Sequence, residues 1–197
     1  MPRKSSPRPL RLGLFGGTFD PPHWGHFLAA REAREELGLD RVVFLPCRQS
    51  PHKTRLRSTA AEVRHAMVKA LVRGEKWAEV SRVDLDRRGP SYSYLTAEAL
   101  NLEHPGAELY WIMGSDQWEV LPSWSHPDRL ARLVRFAVFP RPREPKPRKG
   151  MRLCVLASRY DVSASQIRSR VAGGKSIKGL VPEAVARIIQ SRQLYTP

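Results

Sequence analysis

Cysteine is almost missing from this sequence, with two in 197 residues. Cys47 and Cys154 lie far apart in apolar surroundings, and neither has a second Cys or His at metal-ligand spacing, so two buried free thiols are expected. No apolar run approaches the roughly 20 residues a bilayer-crossing helix needs. The basic, Pro- and Ser-containing stretch 1–9 is not followed by the apolar segment of a secretory signal, so a cytoplasmic protein without membrane contact is expected. No internal repeat, GxGxxG fingerprint or GKS/GKT phosphate loop occurs, which sets aside the dinucleotide-binding and P-loop readings. Helix-turn-helix, zinc-finger and RNA-recognition patterns are also missing.

Acidic residues are scarce too. Against 34 Lys and Arg stand 19 Asp and Glu, for a net charge of +15. Such an excess favours anionic partners without choosing between nucleic acid, nucleotides and an acidic surface. Much of it lies in the N-terminal stretch and in the Pro-rich segment 139–150, which is expected to be a solvated surface loop.

What is present is an alternation of short apolar runs with longer helical patterns, the mark of an α/β fold. Strands are expected at 11–15, 41–45, 79–85, 109–113, 135–139 and 152–156. Helices are expected at 24–37, from Thr59 with a capping box to Glu62, at 94–102, at 128–133, from Ser163 with a capping box to Gln166, and from Pro182 to about 192. The inner stripe of the Thr59 helix is read as Val63, Met67, Ala70 and Leu71. The expected architecture is a Rossmann-like, doubly wound, mainly parallel sheet with helices on both faces. Residues 1–9 are expected to form a basic flexible extension and residues 10–197 a single domain.

The first strand–turn–helix unit carries the chemistry. In open parallel sheets, ligands bind beyond the carboxyl ends of the strands. Gly16 and Gly17 follow the strand directly, where glycine allows close approach and unusual φ values. His23 and His26 are three residues apart at the start of a helix, so both rings can face one side. That helix start offers N–H groups and partial positive charge to a phosphate. Ser163, capping a helix followed by Arg168, makes a second anion site on the same grounds.

The run Gly16-Gly17-Thr18-Phe19-Asp20-Pro21-Pro22-His23-Trp24-Gly25-His26 resembles the signature of the HxGH nucleotidyltransferase superfamily, in the long form found in bacterial nicotinate-mononucleotide adenylyltransferases. Further segments are similar to that family. Ser50-Pro51-His52-Lys53 resembles its PPHK turn, and Gly89-Pro90-Ser91-Tyr92-Ser93 its GPSYT. Trp111 to Asp116 resembles IIGxD, and Leu121-Pro122-Ser123-Trp124 resembles FPxW. Val162 to Arg170 resembles ISxTxIRxR, and Pro182 to Tyr195 the family's ending.

The resemblance implies an α/β domain that joins ATP to nicotinate mononucleotide, releasing nicotinate adenine dinucleotide and pyrophosphate, with Mg2+ accompanying ATP. It assigns catalysis to His23, His26 and Arg168. ATP binding falls to Gly16, Gly17, Thr18, His23, His26, Gly114, Asp116, Ser163, Ser165 and Arg168. The mononucleotide falls to Phe19, Lys53, Ser93, Trp124 and Ser125. No residue is assigned as a dedicated metal ligand, nucleic acid is not an expected partner, and a homo-oligomer is left open. The alternatives are another HxGH enzyme, such as a pantetheine-phosphate adenylyltransferase or a cytidylyltransferase, or a basic nucleic-acid-binding protein.

Overall fold

The computed structural model describes residues 8–51, 58–140 and 143–196. The first strand, β1 (Arg11–Gly17), is buried along its apolar stretch, as a strand covered on both faces must be. After it come α1 (Trp24–Leu37), β2 (Arg41–Pro46), α2 (Ala61–Leu71), β3 (Ala78–Val80), α3 (Val83–Asp86) and α4 (Ser93–Glu103). The chain continues through β4 (Glu108–Gly114), α5 (Ser115–Val120), a 3-10 turn (Leu121–Ser123), α6 (Pro127–Leu133), β5 (Val134–Phe139), β6 (Leu153–Val155), α7 (Ala164–Ala172) and α8 (Glu183–Ser191).

The strands form one six-stranded sheet in the order β3-β2-β1-β4-β5-β6, with every pairing parallel. Period-two alternation splits the core in two. Phe15, Val42, Phe44 and Ile112 pack under Ala30, Ala33, Met67, Ile167 and Val185. Leu12, Leu14, Val43 and Trp111 pack under Leu100, Trp118 and Leu130. This is the doubly wound fold expected from the sequence. Strand order reverses between β1 and β4, which opens a crevice at their carboxyl ends.

Several local expectations are corrected. Residues 79–85 do not form one strand, because β3 ends at Val80 and the chain turns into α3. Thr59 does not cap α2, which has Ala60 at its N-cap without a side-chain bond. Thr59 instead donates its N–H to Asp20 Oδ2 at 3.1 Å and accepts at its carbonyl from Arg64 at 2.8 Å. The inner face of α2 accordingly carries Arg64, Met67, Val68 and Leu71. Cys47 is buried, but Cys154, on the outermost strand, is only partly so.

The Pro-rich segment is not solvated throughout. Pro145 is buried, the Lys146 carbonyl accepts from the Trp118 indole at 2.9 Å, and the Arg148 guanidinium lies 5.5 Å from that ring's centroid. Part of the loop is therefore packed onto α5.

At the other end of the chain, residues 1–7 lie outside the described residues. Arg8 makes a two-pronged ion pair with Asp40, at 2.9 and 2.7 Å. The Arg8 side chain is more than half exposed, and such pairs contribute little. Deleting residues 1–9 is therefore expected to lower Tm by no more than about 4 °C. A larger fall in a thermal melt would make the extension part of the fold.

Candidate active site

At the end of β1 the chain must turn into α1 at the point where the strand order reverses. Gly16 and Gly17 do this with ordinary φ angles, contrary to the sequence expectation. Room is what requires glycine here. A Cβ on Gly16 would lie 2.9 Å from the Trp111 indole, and one on Gly17 would lie 3.0 Å from the Phe19 ring. The left-handed residue is Phe19, at φ 51°. Its ring is buried and meets Phe15 at 5.8 Å and His26 at 5.0 Å between centroids.

His23 and His26 have been brought face to face, with ring centroids 3.7 Å apart and planes 31° from parallel. His23 is 3% exposed. Its backbone N–H donates to His26 Nδ1 at 3.2 Å, so the neutral His26 ring carries its proton on Nε2. A glycine between them keeps the approach narrow, since a Cβ on Gly25 would meet the His23 ring at 3.0 Å and the Val162 carbonyl at 3.4 Å.

Both histidines line a cavity of about 400 Å³ at the switch point, together with Gly16, Gly17 and Thr18. That volume is in the range of small-molecule sites. Gly114 and Asp116, where β4 meets α5, also line it, as do Ser93 at the start of α4 and the half-buried Trp124. Ser91 and Asp84 stand in the same wall. Ser91 Oγ accepts the Arg48 N–H at 3.0 Å. Asp84 accepts from the Thr96 hydroxyl at 2.5 Å and pairs with Arg87, while burial pushes its carboxyl above the usual range. Tyr160 and Val162 close the side nearest α1. The Tyr160 hydroxyl donates to Glu32 of α1 and is pushed up to about 12, by burial first and that carboxylate second.

A second set of residues fixes the loop from behind. Ser163 caps α7 by accepting the Gln166 N–H at 3.2 Å. Arg168 donates to the Asp20 carbonyl at 2.8 Å and to Ser165 Oγ at 3.2 Å. The Asp20 carboxylate also accepts the Tyr195 hydroxyl at 2.6 Å. Burial, then Asp20, raises that phenol well above its ordinary value. The loop between β1 and α1 is thus tied to α7 and to the segment after α8.

Comparison with known proteins decides what this geometry belongs to. The family described as Cytidylyltransferase-like matches residues 14–170. A protein of Geobacillus kaustophilus (strain HTA426) named "Probable nicotinate-nucleotide adenylyltransferase" is 41% identical over 185 residues, covering 94% of this chain and 86% of the relative. One of the same name from Gemmatimonas aurantiaca is 42% identical over 198 residues, covering 94% and 92%. The chain belongs to the nicotinate-nucleotide adenylyltransferase family.

The fold of this family member agrees. The solved structure of Plasmodium falciparum nicotinic acid mononucleotide adenylyltransferase complexed with NaAD matches with a TM-score of 0.79 at 18% identity, over 94% of this chain and 97% of that one. As a family member the chain is a nucleotidyltransferase, as its motifs imply.

Of the residues singled out in the sequence, Gly16, Gly17, Thr18, His23, His26, Ser93, Gly114, Asp116 and Trp124 meet around one cavity. Phe19, Ser125, Ser163, Ser165 and Arg168 are not in its wall. Phe19 is core packing beneath the histidines, and Arg168 is held by the loop backbone. Lys53 lies outside the described residues. The sequence reading missed Asp84, Tyr160 and above all Arg64. Only an arginine standing on the apolar face of α2 could have flagged the last.

Proposed function

We propose that this chain transfers the adenylyl group of ATP to the phosphate of nicotinate mononucleotide, giving nicotinate adenine dinucleotide and pyrophosphate. The observation that carries this is the pairing, in one cavity, of two stacked histidines at a helix start with Ser93 and Trp124 on the wall beyond. A phosphate oxygen of the mononucleotide bonds to the α-phosphorus of ATP. The bond from that phosphorus to the bridging oxygen breaks, and pyrophosphate leaves with its electron pair.

Positioning and charge stabilisation carry such a step. In this reading Thr18, His23 and His26 contact the ATP phosphates, and the Nε2 proton of His26 serves charge that develops at the α-phosphate. Arg168 and the Ser163-capped start of α7 hold phosphate at the edge of the site, with Ser165 steadying the guanidinium. Asp116 takes a ribose hydroxyl. Trp124 stacks on the nicotinate ring, Ser93 hydrogen-bonds its carboxylate and Ser125 supports that pocket, while Phe19 packs beneath the histidines. Lys53 is assigned to phosphate from its motif alone.

Mg2+ would enter with ATP. Among the described residues no cluster of three or more His, Cys, Asp or Glu could hold a metal. The ion would be held mainly by phosphate oxygens and water. Bound so, it would neutralise phosphate charge. The net charge of +15 suits the steering of two polyanionic substrates. No helix among the described residues is long and apolar enough to cross a membrane, and the proposed setting is the cytoplasm.

The subsites are separable by kinetics. Trp124→Ala removes a stacking face worth about 1–3 kcal/mol per base. It is expected to raise KM for nicotinate mononucleotide by about tenfold or more, with KM for ATP changed by less than about threefold. A larger effect on ATP would reverse the two subsites. Failure of the wild-type enzyme to use nicotinate mononucleotide at all would remove the reading.

A further inference from the structure

Arg64 is 1% exposed, and among the described residues no carboxylate lies within ion-pair distance of its guanidinium. Its charge is spent on backbone oxygens. Nε donates to the Thr59 carbonyl at 2.8 Å and Nη1 to that of Thr18 at 2.7 Å. Nη2 donates to Cys47 at 2.8 Å and to Arg48 at 3.2 Å. Burying an ion is costly even when it is well hydrogen-bonded, and an apolar side chain of similar volume is often as stabilising or more so. Stability alone therefore gives little reason for arginine on the inner face of α2.

Geometry gives one. The four carbonyls belong to three separate segments: the loop after β1, the exit of β2, and the lead into α2. Thr18 and Cys47 both line the cavity. A peptide group is planar and trans, so a carbonyl held by the guanidinium fixes the next N–H pointing the opposite way. On the β2 side, the Arg48 N–H reaches Ser91 Oγ at 3.0 Å, and the Ser91 N–H returns to the Gln49 carbonyl at 2.9 Å. Ser91 also lines the cavity, two residues before Ser93. One planar, rigid donor set thus holds the histidine loop and, through Ser91, the wall that carries Ser93. Lysine, a flexible point donor, cannot span these oxygens in a plane.

We propose that Arg64 is a positioning residue for adenylyl transfer, which registers the β1 loop and the β2 exit against each other so that the two substrates meet. The proposal rests on the function given above. In the purified full-length enzyme, Arg64→Lys and Arg64→Met are to be compared with wild type in Tm and in kcat and KM for both substrates. Misplacing reacting groups by about 1 Å costs about a hundredfold.

The expected result is a folded Arg64→Lys with kcat lowered by about 10- to 100-fold, and a lower value still for Arg64→Met. Both KM values should move by less than about threefold. Folded variants with kcat near the wild-type value would overturn the proposal. So would failure of both variants to fold, because Arg64 would then hold the domain rather than align its loops. A wild-type enzyme without adenylyl transfer would instead overturn the function itself, which keeps the two failures distinct.

Discussion

His26→Ala is expected to lower kcat by about two to three orders of magnitude, the loss typical of removing one preorganised donor from a site of developing charge. Three observations converge on this ring. It lines the cavity at the switch point, its Nδ1 is occupied by the His23 N–H, and its face lies against His23 at 3.7 Å. With Nδ1 spoken for, the remaining proton is committed to Nε2 and needs no reorganisation when charge appears. The ring is only partly buried, so its loss should spare the fold. The check is single-turnover pyrophosphate release alongside a thermal melt. A loss of less than about tenfold in a folded variant would show that the loop is not the reaction centre.

Arg168→Met is expected to lower kcat/KM for ATP by about 10- to 100-fold. The side chain keeps its length but loses the charge. A hydrogen bond to a charged group contributes about 1.5–3 kcal/mol, and each 1.4 kcal/mol is about tenfold. Two effects combine. The anion site proposed at the start of α7 loses its cation, and the Asp20 carbonyl loses its 2.8 Å donor. Arg168→Lys separates them, because a lysine keeps the charge without the fork. If charge matters most, the lysine variant should recover the greater part of the loss, measured as kcat/KM against ATP concentration. A methionine variant as active as wild type would confine Arg168 to packing.

Where the sequence was legible, the reason is local. α1 begins and ends where expected, at Trp24 and Leu37, because its stop is a glycine, Gly38, in the left-handed region at φ 59°. The Ser163 cap formed as expected, its hydroxyl accepting the Gln166 N–H three positions on. The Thr59 cap did not, because Asp20, remote in sequence, takes that residue's N–H and Arg64, five positions further on, takes its carbonyl. The helices α3 and α5 are four and six residues long, too short for a hydrophobic period to declare itself.

The site shows the same division. Residues in the strand–loop–helix unit could be found because spacing alone puts two histidines on one face. Asp84 and Tyr160 could not be found, since each matters through a partner 12 or 128 positions away, and Arg64 offered only its place on an apolar helix face. Glycine was the instructive half-success. Gly16 and Gly17 were rightly read as required, but what they supply is room for Trp111 and Phe19 rather than a special φ.

The central claim is that this cavity joins ATP to nicotinate mononucleotide. It is tested most directly by offering the purified enzyme ATP, Mg2+ and one acceptor at a time: nicotinate mononucleotide, nicotinamide mononucleotide or phosphopantetheine. The account predicts nicotinate adenine dinucleotide and pyrophosphate in equal amounts from the first acceptor, with the highest kcat/KM of the three. Equal or faster turnover of phosphopantetheine, or no dinucleotide from nicotinate mononucleotide, would contradict it.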